Sequence, residues 1–79
     1  MFLEIVTPDK KIFSGDIKLI QVPGSKGQFE VLNNHAALVS SLTTGKIKVV
    51  NLEGEKTFFD ILGGVIEVKN NKVVVLAEN

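Results

Sequence analysis

Turn-forming residues cut this chain into short segments whose apolar positions alternate, and that punctuation leaves room for strands but not for long helices. Phe2 to Val6 is a first such segment, stopped at Thr7-Pro8-Asp9, where proline withholds a ladder donor. Lys11 to Ser14 is a second, closed by a turn or bulge signal at Gly15-Asp16. Ile17 to Val22 alternates next, with Ile17, Leu19 and Gln21 on one side and Lys18, Ile20 and Val22 on the other. Pro23 to Gly27 reads as a tight surface loop, and Gln28 to Leu32 as a strand ended by an Asn33-Asn34 turn. The stretch from His35 to Leu42 is too short for a stable helix and is assigned as loop running into strand.

Lys46 to Val50 alternates again, and Leu52 to Glu55 turns the chain into a strand from Lys56 to Leu62. The clearest unit is Val65 to Lys69, Asn70-Asn71, then Lys72 to Ala77. Two asparagines tolerate the left-handed backbone of a two-residue hairpin turn. Gly63-Gly64 predicts a bulge, a sharp bend or a close approach of another backbone. Phe58 and Phe59 must point to opposite faces of one strand, one into the core and one outward. The expected fold class is all-β, a flattened barrel or two-sheet β-sandwich, with residues 1–79 as one domain.

A chain of 79 residues sits near the size at which one core barely offsets the entropy of ordering it. No cysteine is present, so disulfides cannot help, and stability must come from apolar burial, which a partner could complete. Nine basic residues, all lysine, balance nine acidic ones. A neutral surface without arginine lacks both the counterion release and the bidentate fork on which nucleic-acid binding draws. The longest apolar runs are far too short to cross a bilayer, and the N-terminus shows no signal-peptide pattern. A cytosolic location follows, with membrane association only through a partner.

Residues with chemical potential are few. His35 is the single histidine, and no second histidine or cysteine stands ready to complete a metal site with it. A turn histidine bonded to its neighbours' backbone is the simpler expectation. Gly24-Ser25-Lys26-Gly27 lacks the phosphate-loop string and leads into a strand, so it reads either as a plain turn or as an exposed protein-contact loop. The serines form no nucleophile elbow, and the carboxylates are scattered singly. Composition and motifs therefore imply a non-catalytic β domain without a cofactor.

One order of residues narrows this further. Ile5-Val6-Thr7-Pro8, Phe13-Ser14-Gly15, Val22-Pro23-Gly24 with Gly27, Leu32 with Asn34-His35-Ala36, Leu42 with Gly45, Leu62-Gly63-Gly64-Val65 with Glu67-Val68, and Val73 to Ala77 span nearly the whole chain. Together they resemble the N-terminal β domain of the epsilon subunit family of F-type ATP synthases. The resemblance implies a barrel or sandwich of about ten strands in the foot of the central stalk, on the cytoplasmic side of the membrane. There it would pack on the gamma subunit and touch the c-ring, coupling proton or sodium flow to ATP synthesis as a stiff rotor part. The carry-over puts Ser25, Lys26, Gly27, Gln28 and Phe29 towards the c-ring, and His35, Ala36, Leu38 and Ser40 towards gamma.

The sequence departs from the family pattern at Glu30, where glycine is usual, and at Asn33 and Ala37, where proline is usual. Gln28 stands where an acidic residue is frequent. Most family members continue into a regulatory C-terminal helical hairpin, so a chain ending at Asn79 is expected to be either a short form that couples without braking or a fragment from which the hairpin was removed. The competing expectation is a small carrier domain of biotinyl or lipoyl type, which needs a lysine on a hairpin tip. Lys56 and Lys72 lie near turns but lack the flanking residues of such a site. A small hydrolytic barrel would need a catalytic constellation, and the motifs supply none.

Overall fold

The computed structural model describes residues 1–79 as eight strands. These are β1 (Phe2–Val6), β2 (Lys11–Gly24), β3 (Gly27–Leu32), β4 (Leu38–Leu42), β5 (Gly45–Asn51), β6 (Lys56–Ile61), β7 (Gly63–Lys69) and β8 (Lys72–Glu78). Hydrogen-bonded neighbours run β1-β8-β7-β4-β2-β5-β6, with β3 on β2 and a further β1–β2 pairing that closes part of the sheet on itself. The result is the flattened barrel expected, 27 × 22 × 18 Å across its principal axes. All neighbouring pairs are antiparallel except β1 with β8, which run parallel.

Fifteen buried hydrophobic residues form one cluster between the two faces, among them Leu3, Ile5, Ile20, Val22, Ile47, Ile66 and Val75. Their alternation with exposed neighbours is the period-2 pattern of half-buried strands. Phe59 packs against this cluster and meets Phe13 edge-to-face at 5.9 Å between ring centroids. Phe58, one residue earlier, is exposed. The aromatic pair thus divides between the faces as the strand reading requires.

Three sequence expectations need correction. The structure has eight strands where the resemblance implied about ten, and Lys11–Ser14 and Ile17–Val22, read as two segments, belong to one continuous β2. Gly15 and Asp16 form no turn there; they pair directly with Leu3 and Phe2 of β1. The irregularity lies slightly later, where the β2–β5 register shifts between Ile17 and Leu19. One extra residue, Lys18, restores Ile17 to the inward face beside Ile20 and Val22. Simple alternation put Ile17 on the opposite side because a bulge breaks the period it relies on.

The turns follow their residue chemistry. Asn70 and Asn71 both take positive φ, 52° and 59°, which is the backbone of a type I′ hairpin turn. At Gly64 the φ is 149°, and a Cβ there would collide with the Leu76 carbonyl oxygen of β8. Of the three meanings open to the Gly63-Gly64 pair, close backbone approach is the one realised at Gly64.

Candidate functional site

Two exposed features carry the residues singled out above, and they sit at opposite ends of β3. At one end the β2–β3 hairpin turns through Ser25 and Lys26, with Gly24 paired to Gly27. Gly24 is obligatory in this packing, because a Cβ would lie 2.6 Å from the Gly27 carbonyl oxygen and 2.7 Å from the Phe29 ring. The hairpin tip is braced on β4: the Ser25 N–H donates to the Ser41 carbonyl at 3.0 Å, and the Ser41 hydroxyl donates to Ser25 Oγ at 2.9 Å. The Thr43 N–H also donates to the Pro23 carbonyl at 2.8 Å. Lys26 and Gln28 are exposed, and Lys26 forms no ion pair, so the tip presents one unneutralised cation and polar groups on a braced backbone.

At the other end, Asn33 and Asn34 turn the chain out of β3, with Asn34 in the left-handed region at φ 63°. The His35 N–H donates to the Leu32 carbonyl at 3.1 Å. His35 Nδ1 lies 2.8 Å from the Ala36 carbonyl oxygen. A carbonyl can only accept, so Nδ1 carries the proton and Nε2 is the ring's free acceptor in the neutral form. The Asn71 carboxamide, on the β7–β8 hairpin, reaches this turn as well: its Oδ1 accepts from the Asn34 N–H at 2.8 Å and its Nδ2 donates to Asn33 Oδ1 at 2.9 Å. Ala36 is exposed and His35 half-buried.

Between these ends β3 and β4 form an open seam. β3 pairs with β2 alone, and β4 pairs with β7 and meets β2 only at Leu42 opposite Gly24. Five residue steps separate Gly27 from Leu32, about 17 Å at strand rise. The structure therefore keeps the Ser25–Phe29 set and the His35-Ala36 pair well apart. Ser40 lies beside Ser41, on the cleft wall facing Ser25 and Lys26, so it is placed nearer the hairpin tip than His35. Leu38 and Phe29 are half-buried and pack on the core.

Sequence reasoning passed over three residues in this region. Val39 and Ser41 are the exposed positions of β4, whereas Leu38 and Ser40 share the parity of buried Leu42. That parity was available from Leu-Val-Ser-Ser-Leu once Leu42 was taken as core. Asn71 carried no signal beyond its turn propensity, because its contact with Asn33 and Asn34 spans 37 to 38 residues. No three His, Asp or Glu side chains converge anywhere in the structure.

The whole chain, residues 1–79, matches the family described as ATP synthase, delta/epsilon chain, β-sandwich domain. The chain belongs to that family. An ATP synthase epsilon chain from Campylobacter hominis is 49% identical over 78 residues, 98% of this chain and 60% of its own length. One from Chlorobaculum tepidum is 42% identical over 76 residues, 96% of this chain and 86% of its own length. The chain thus spans about 60% of the first of these relatives and most of the second. The same fold recurs at TM-score 0.92 and 24% identity in a cryo-EM structure of the Euglena gracilis mitochondrial ATP synthase, covering 98% of this chain and 49% of that one. It recurs at TM-score 0.84 and 18% identity in the Tetrahymena thermophila mitochondrial ATP synthase central stalk and c-ring, covering 100% and 63%. Membership of the delta/epsilon family leaves the biotinyl or lipoyl alternative without support. Lys72, the lysine after the asparagine turn, is moreover engaged: its Nζ lies 3.6 Å from Glu4 and 5.9 Å from the centre of the Phe2 ring.

Proposed function

We propose that residues 1–79 form the rotor-coupling β domain of an F-type ATP synthase epsilon subunit, a non-catalytic part of the central stalk. In this reading it binds the gamma subunit and the c-ring and joins the membrane only through that complex, on its cytoplasmic side. The observation that carries the proposal is the end-to-end match to the delta/epsilon β-sandwich family. Two exposed regions at opposite ends of β3 support this reading, since a part bridging two neighbours needs two separate surfaces. The braced Ser25-Lys26 tip, with Gly27, Gln28 and Phe29, is assigned to the c-ring. The His35-Ala36 turn, with Leu38 at the start of β4, is assigned to gamma, whereas Ser40 lines the cleft beside the tip and stays outside the gamma set.

Mechanically, the role needs stiffness more than chemistry. A core of fifteen buried residues enclosed by a partly closed sheet transmits strain with little give. Large apolar side chains left outside, including Leu62, Val65 and Leu76, add surface suited to protein contact. Mixing the chain with its cognate gamma subunit at micromolar concentration should give a one-to-one complex by size-exclusion chromatography and native mass spectrometry. Two separate species at that concentration would overturn the proposal.

A further inference from the structure

Both long-range hydrogen bonds of residues 33–37 end on one carboxamide, that of Asn71. The other two bonds in the turn, from the His35 N–H to Leu32 and from the His35 ring to Ala36, are local. Asn71 is also tied on its backbone side, its carbonyl accepting the Phe2 N–H at 3.2 Å. The Asn34 N–H can only donate, which fixes Oδ1 of Asn71 towards it and leaves Nδ2 facing the Asn33 oxygen. The residue held this way, Asn34, occupies a left-handed backbone that an L-residue adopts at a cost, so the turn needs such support to stay in one shape.

We infer that Asn71 is a positioning residue for the gamma contact: it clamps the Asn33–His35 turn to the β7–β8 hairpin and so presets the surface that His35 and Ala36 offer. This rests on the assignment of the His35 end to gamma. Preorganisation lowers the ordering cost that binding would otherwise meet. The clamp makes no contact with gamma of its own and acts only through the turn.

Two substitutions isolate the carboxamide. Asn71→Gly creates an Asn-Gly pair, the sequence most favourable to a type I′ turn, so the hairpin is kept while both clamp bonds are lost. Asn71→Asp keeps oxygen acceptors for the Asn34 N–H, and the Asn33 carboxamide can rotate to donate to it. In the isolated chain, hydrogen exchange at the Asn34 amide should speed up about fivefold in Asn71→Gly and return near the parent rate in Asn71→Asp. Amides of the β7–β8 ladder should be unchanged in both. Gamma affinity should fall about fivefold in the glycine variant and recover in the aspartate variant. Unchanged Asn34 exchange in Asn71→Gly would overturn the clamp, as would acceleration shared by the whole β7–β8 ladder. Faster Asn34 exchange with undiminished gamma affinity would overturn the positioning role. If the parent chain does not bind gamma, the functional proposal fails and the positioning role with it, while the exchange experiment still decides whether the clamp exists.

Discussion

Glu4 shows what a single half-buried residue contributes to this barrel. It lies on β1 between Lys11 of β2, at 2.7 Å, and Lys72 of β8, at 3.6 Å, so one carboxylate links three strands. The hydrogen bond from Lys11 is the main reason its carboxyl lies below the ordinary value of 4.5, with the charges of Lys11 and Lys72 adding to it. A carboxyl whose folded pKa is depressed stabilises the fold above its unfolded value and loses that contribution as pH falls through the folded value. The parent should therefore be more stable than Glu4→Gln near neutral pH, and the gap should close as pH drops below 4.5. Thermal unfolding of the two proteins across that range checks it; a constant gap would contradict it. The triad was not readable beforehand, because Glu4, Lys11 and Lys72 are brought together by the β1–β2 and β1–β8 pairings and not by spacing. His35 was readable, since a lone turn histidine has few partners other than its neighbours' carbonyls. Asn71 was not, because its second role lies across the molecule.

Elements with a clean period were legible and those with a defect were not. The β7–β8 hairpin follows from two alternating runs around Asn70-Asn71, and its register from Gly63↔Glu78 to Lys69↔Lys72 is uninterrupted. β2 reads as two segments because Gly15-Asp16 carries a turn signal that its pairing with β1 overrides, and the bulge at Lys18, which changes the parity that faces inward, lies past that signal. Gly64 is where sequence and packing meet most sharply. Gly64→Ala would press a methyl group into the β8 backbone at Leu76 and Ala77 from an unfavourable φ, at a cost of about 3 kcal/mol. Gly54 also has positive φ, but a Cβ there meets nothing within 4 Å, so Gly54→Ala should cost only about 1 kcal/mol. Urea unfolding of both variants separates crowding from backbone strain. Equal losses would mean that the β7–β8 approach is looser than the geometry describes.

At the scale of the whole molecule, alternation could give the fold class but not the wiring. The sheet order, the parallel β1–β8 pair and the seam between β3 and β4 depend on long-range pairings that no local pattern encodes. The wiring gives the functional reading its geometry, by setting the Ser25-Lys26 tip and the His35 turn at opposite ends of the seam. A photo-crosslinking residue placed at Lys26 or at His35, in turn, within the assembled ATP synthase tests that arrangement most directly. The predicted products are Lys26-position adducts to the c subunit and His35-position adducts to gamma. Adducts to gamma from both positions, or the two partners exchanged, would contradict it.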